Sequence, residues 1–152
     1  MPLLHKIGLM IRHCEQAQLR VTEQLAQQTG RRRTLQQSID GLALQCVEID
    51  RLLQSQKLNG CVIDRPALFA LQQRQAVLRQ QRYQLDFERD RLREETELLE
   101  QEQQKTRAEM QVLMRKKNKF AHWSGVQKRE HVLRRLLRED MEIEDRVVLR
   151  AE

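Results

Sequence analysis

Aromatic side chains are scarce in this chain, at 3% of residues, and there are only five Gly and two Pro. Strand-rich folds draw on aromatic residues for their faces and on Gly and Pro for their turns. Their scarcity excludes a sandwich, a barrel or a doubly wound sheet. Long apolar runs are missing as well. No stretch approaches the roughly 18 apolar residues that cross a bilayer, so no transmembrane segment is expected. The opening Met1–Arg12 carries Lys6 and His5 among its apolar residues. It therefore lacks the unbroken apolar core of a secretory signal. The three Cys (14, 46 and 61) form no C-x-x-C pair, which suits unpaired thiols in a reducing cytoplasm better than a disulfide framework.

What the chain does contain is charge and glutamine. Charged residues make up 33%, and Lys plus Arg exceed Asp plus Glu by 28 − 22 = +6. The 152 residues suit one domain. Enrichment in Gln, Leu, Arg and Glu is the composition of long helices and coiled coils. With a mean hydropathy of −0.73, the apolar residues suffice for a narrow stripe and not for a wide core.

The stripe is visible as a heptad. With Leu4 at position a, the a column reads Leu4, Ile11, Gln18, Leu25, Arg32, Ile39, Cys46 and Leu53. The d column reads Ile7, Cys14, Val21, Gln28, Leu35, Leu42, Ile49 and Gln56. Twelve of these sixteen positions are apolar and the register does not slip, which predicts a coiled-coil helix. Gly30 and Gly41 lie inside it, each costing about 1 kcal/mol relative to Ala. Because the heptad passes through both, one continuous helix is favoured over a break at either.

Lys57 to Asp64 read as a turn around Asn59-Gly60, two residues that tolerate positive φ. Asp64 suits a cap and Pro66 a first helical turn. A second column of leucines follows at Leu71, Leu78, Leu85, Leu92 and Leu99, resuming at Leu113 and Phe120 after Thr106. The column four residues on is polar: Gln75, Arg82, Arg89, Thr96 and Gln103, then Met110. So weak a seam should pair with the richer first helix. The predicted fold is all-α, a long antiparallel two-helix coiled-coil hairpin in one domain over 1–152. Its parts are helix 3–56, turn 57–64 and helix 65–148. Reflection about Gly60 places residue i opposite about 121 − i and leaves everything after about residue 118 as an overhang.

No catalytic set emerges. The glycines are scattered and make no phosphate loop, and His5, His13, His122 and His131 have no metal-binding spacing. No enzyme activity, cofactor or metal is expected, and no small-molecule substrate. Two places suit docking. The turn is unusually apolar for a loop tip, with Leu58, Val62, Ile63, Leu68 and Phe69 beside Asp64. At the other end, Phe120 and Trp123 sit within a basic segment that includes Arg115, Lys116, Lys117, Lys119, Lys128, Arg129 and Arg135. Trp is a frequent interface anchor. Arg31-Arg32-Arg33 reads as a solvated helix face, since no aromatics are interleaved for base stacking.

The stretch Arg115-Lys116-Lys117-Asn118-Lys119-Phe120-Ala121-His122-Trp123, followed by Gln127-Lys128-Arg129, carries a family resemblance. A basic run, an aromatic, then Trp and Gln-Lys-Arg resembles the pattern of type III secretion stalk proteins of the InvI/SpaM and YscO group, related to flagellar FliJ. The resemblance implies a non-enzymatic central stalk in the bacterial cytoplasm, at the cytoplasmic face of the secretion apparatus. Its open end would enter the hexameric secretion ATPase, and its turn would touch the cytoplasmic ring of the export gate. Export chaperones are a further partner class. Carried over by position, Leu58, Val62, Ile63, Asp64, Leu68 and Phe69 would face the gate. Leu3, Ile7, Ile11, Phe120, Trp123, Lys128, Arg129, Arg135 and Ile143 would face the ATPase. Two other readings stay open: a basic coiled coil that associates with nucleic acid through the basic half of the second helix, and a plain chaperone-like adaptor hairpin.

Overall fold

The computed structural model describes residues 2–57, 60 and 62–151. Leu58, Asn59 and Cys61 of the expected turn lie outside the described residues. Two helices account for the described chain: α1, Pro2–Ser55, and α2, Arg65–Ala151. They pack against each other as a helical hairpin, and the described residues include no strand. α1 runs without interruption through Gly30 and Gly41. At both glycines an added Cβ would meet nothing within 4 Å. The packing resolves into two compact units, Met1–Gln24 with Thr106–Glu152 and Leu25–Lys105.

In the unit Leu25–Lys105 the seam is the heptad read from the sequence. Ile39, Cys46 and Ile49 of α1 and Leu99 of α2 are buried. The leucine column of α2 faces inward beside its polar neighbours Gln75, Arg82, Arg89 and Thr96, all at least partly covered. In the unit of Met1–Gln24 with Thr106–Glu152, Ile7, Cys14 and Val21 are buried on the same α1 column, together with Thr106. Thr106, which interrupts the leucine column, sits in the seam like the leucines around it.

The pairing register differs from reflection about Gly60. Cys46 meets Asp86, Asp50 meets Arg82, and Thr29 meets Gln103, each pair of numbers totalling 132 and not 121. Glu15 and Lys117 give the same total in the other unit. The cause is the link between the helices. It is not a tight turn: Val62, Ile63 and Asp64 have no regular structure. α1 ends level with Gln75 of α2, ten residues into that helix. The Gln75 Nε2 amide donates to the Gln56 carbonyl at 3.4 Å, satisfying an acceptor left over at the end of α1. Gly60 has φ of 73°, the left-handed region the turn reading anticipated. The Asp64 carbonyl accepts the first α2 bond from Leu68 N at 3.0 Å, placing Asp64 at the cap position.

This register also moves the other boundary. The α1 start lies level with about residue 130 of α2, so the unpaired part of α2 begins near 131 and not near 118. Every described residue from 128 onward is exposed.

Candidate interaction surfaces

In the unit Leu25–Lys105, the expected tip residues fall on the link and the first turns of α2. Val62 is fully exposed at 104% and Phe69 is 63% exposed. Asp64 and Leu68 are exposed, and Ile63 is half-buried. Leu58 lies outside the described residues. Residues 65–70 of α2 are all exposed because α1 has already ended. The tip is therefore a short helical projection bearing Leu68 and Phe69, with Val62 in the irregular segment that leads into it.

Just below it, an open groove of about 720 Å³ runs between the helices, lined by Leu52, Gln56, Ala70, Val77, Leu78 and Gln81. Farther along α2, Tyr83 and Phe87 are both exposed, one turn apart, with Arg91 one turn beyond. The sequence reading passed over this pair. Its signal was an i, i+4 aromatic spacing off the leucine column.

Polar groups hold the seam of this unit together. Arg82 donates from Nε to Asp50 at 3.0 Å and from Nη1 to Asp86 at 2.6 Å, and Arg89 reaches the same Asp86 oxygen at 3.1 Å. The Arg82 guanidinium is held charged well above its ordinary range. The Asp50 hydrogen bond is the main cause and Asp86 adds to it, while desolvation opposes both. Arg31 pairs with Glu95 at 2.7 Å and Arg32 with Glu100 at 2.6 Å. Two members of the Arg31-Arg32-Arg33 run thus bind their own partner helix. Gln103, 2% exposed, donates to Thr29 Oγ1 at 3.4 Å and lies level with the buried Gln28.

In the unit of Met1–Gln24 with Thr106–Glu152, the residues expected at the open end separate into three groups. Ile7 is 2% exposed and belongs to the seam, so it presents no outward surface. Ile11 and Phe120 are half-buried at the seam margin. Leu3, Trp123, Lys128, Arg129, Arg135 and Ile143 are exposed. Within the basic run, Lys117 turns to Glu15 at 3.2 Å, and Arg135 pairs along its own helix with Glu139 at 3.6 Å. Among the described residues no group of His, Cys, Asp or Glu could hold a metal ion, and no helix is long and apolar enough to cross a membrane.

Two long helices packed along a thin seam define a helical-hairpin protein. Its family is the Salmonella surface presentation of antigen gene type M protein family, whose model matches residues 5–147, and the chain belongs to it. That is a family of the type III secretion apparatus. No curated protein and no solved structure matches the chain.

Proposed function

We propose that this chain is the non-enzymatic central stalk of a type III secretion export apparatus, acting in the cytoplasm. It links the hexameric secretion ATPase to the export gate and promotes protein export. The observation that carries this reading is the extent of the family match, residues 5–147, which takes in every proposed contact residue except Leu3. In this reading Val62, Ile63, Asp64, Leu68 and Phe69 meet the cytoplasmic ring of the gate, and Leu58 belongs with them by position. Leu3, Trp123, Lys128, Arg129, Arg135 and Ile143 meet the ATPase. Ile11 and Phe120 support that surface from the margin, and Ile7 acts only by holding the seam closed. Export chaperones are a further partner class.

The exposure of Val62, Phe69 and Trp123 supports the assignment, because large apolar side chains at the ends of a hairpin are suited to docking. Mixing the full chain with the cognate secretion ATPase is expected to give a complex and a severalfold rise in ATP hydrolysis. Absence of both would remove the stalk reading. Val62→Asp with Ile63→Asp should abolish gate binding and leave the ATPase response intact. Retained gate binding would show that the tip lies elsewhere.

A further inference from the structure

The two units are held closed by different means. In Leu25–Lys105 the ion pairs Arg31–Glu95, Arg32–Glu100 and Arg82–Asp50 cross from helix to helix, at 2.7, 2.6 and 3.0 Å. In the unit of Met1–Gln24 with Thr106–Glu152, Lys117–Glu15 at 3.2 Å is the one ion pair that does so among the described residues. The α2 side of this second seam is also poorer. Leu4 and Ile7 of α1 lie level with about Gln127 and Ser124, and Lys117 stands on the seam column itself, level with Cys14. A cation at such a position weakens a seam, and its ammonium finds a partner only by turning aside to Glu15.

Net charge separates the units further. α1 up to Gln24 carries Lys6, Arg12 and Arg20 against Glu15 and Glu23, 3 − 2 = +1. Residues 106–130 of α2, the stretch paired with it, carry seven cations, among them Arg115, Lys116 and Lys119, against Glu109 and Glu130, 7 − 2 = +5. Two packed helices of the same sign repel, most strongly at low salt, where the Debye length exceeds their spacing. In Leu25–Lys105 the α1 part has 4 − 3 = +1 and the α2 part, residues 65–105, has 8 − 8 = 0. No net repulsion opposes that seam. Each seam also buries one free thiol, Cys14 at 5% and Cys46 at 2% exposure, so the closure of each can be read separately.

We propose that α1 from Pro2 to about Gln24 is a strap, closed on α2 by its apolar column and pushed open by like charge, that releases while Leu25–Lys105 stays paired. Release breaks only the contacts of its own unit. The open state uncovers Ile7, Cys14 and Val21 on α1 and Phe120 on α2. The sign of the salt effect marks the device. Screening weakens the repulsion, so added salt closes the strap, whereas it loosens a seam tied by ion pairs. The strap does not depend on the stalk reading, and its test measures neither ATP hydrolysis nor gate binding.

The test uses the full chain with Cys61→Ser, which leaves two thiols. Modification of each by neutral N-ethylmaleimide is followed by mass spectrometry. Each rate is divided by that of the same thiol in the urea-unfolded chain at the same salt. Cys14 is expected to react at least about tenfold faster than Cys46. Raising the salt from about 10 mM to about 0.1 M shortens the Debye length from about 30 Å to about 10 Å, and should slow Cys14 severalfold without slowing Cys46. Lys116→Glu with Lys119→Glu, both at exposed positions, lowers the α2 charge to 5 − 4 = +1. It should slow Cys14 at low salt and remove most of the salt effect. Amide hydrogen exchange, which involves no thiol, should be faster over residues 7–21 than over 35–50. Equal normalised rates at the two thiols, the result of global unfolding alone, overturn the proposal. So does a Cys14 rate that rises with salt, or one that a folded double variant leaves unmoved. Should the double variant misfold, both thiols would react faster together, and the salt series on the Cys61→Ser chain decides.

Discussion

At the residue scale, the seam is held as much by a few polar side chains as by its aliphatic ones. Arg82 bridges Asp50 of α1 and Asp86 of α2, so Arg82→Ala breaks a cross-helix tie and leaves Asp86 with Arg89 as its ion-pair partner and the Cys46 thiol beside it. The pair is partly solvated, and a loss of about 0.5–1 kcal/mol is expected. Thermal unfolding should show it at low ionic strength and show less of it at 1 M salt. Asp50 raises the affinity of Arg82 for its proton. A cation so shifted keeps its contribution at every pH below its unfolded value and loses it only above, so the Arg82→Ala difference should be flat from pH 6 to pH 10. Gln103 behaves differently. Gln103→Ala removes a buried amide from beside Thr29 and Gln28 and opens space in the seam, at a cost of about 1–3 kcal/mol. An aliphatic Gln28→Leu, Gln103→Leu pair should instead raise the melting temperature while loosening the register. Disulfide trapping between cysteines placed at 50 and 82 would report the loosening as extra cross-linked species.

At the scale of the helix, the glycines make opposing predictions. Gly30→Ala and Gly41→Ala place a methyl group in open space within a continuous helix, and each should stabilise by about 1 kcal/mol. Gly60→Ala forces an L side chain into a left-handed backbone at φ 73° and should destabilise by about 1 kcal/mol. Melting temperatures of the three single variants, each expected to move by a few degrees, separate the cases. A Gly41→Ala variant that lost stability would point to a bend in α1 at that residue. The helices themselves were legible in the sequence, because a strict heptad survives scattered glycines. The register was not, because Asn59-Gly60 suggested a reversal centred there, whereas the helices pair with residue numbers that total 132. The missed clue was polar. Gln28 and Gln56 stand four heptads apart on α1, as do Gln75 and Gln103 on α2, and the observed register brings both pairs level. The candidate surfaces were legible only in part. Val62 and Phe69 could be located because apolar residues at a loop are unusual, whereas Ile7 could not be told from a docking residue until its burial was seen. Tyr83 and Phe87 lie off the columns that face the seam, so the heptad carried no sign of them.

At the scale of the molecule, the division of labour follows from where α1 runs out. Residues 131–151 of α2 are exposed throughout. Removing them should leave the hairpin folded, with a melting temperature within a few degrees of the full chain, as for other terminal segments that bury nothing. If they meet the ATPase as proposed, stimulation of hydrolysis should fall sharply in the same truncated protein. A large loss of stability on truncation would mean that the segment folds back onto the hairpin. Shortening the link by deleting Val62 and Ile63 acts at the other end. It leaves a shorter link and should strain the pairing near Gln56, lowering the melting temperature while sparing contacts beyond Thr29.

The two glutamine layers have a mechanical consequence. Sliding α2 along α1 by one heptad would keep leucine against aliphatic residue along much of the seam, so the leucines alone resist shear weakly. The same slide takes Gln103 away from Gln28 and Gln75 away from Gln56 at once, leaving three of the four amides level with apolar residues and the fourth with Thr96 or Arg82, each apolar encounter at a cost of order 1 kcal/mol or more. Like a key with two teeth cut at the same interval as its lock, the hairpin has one seating. A pull on one helix is then carried to the other as load instead of being lost as slip.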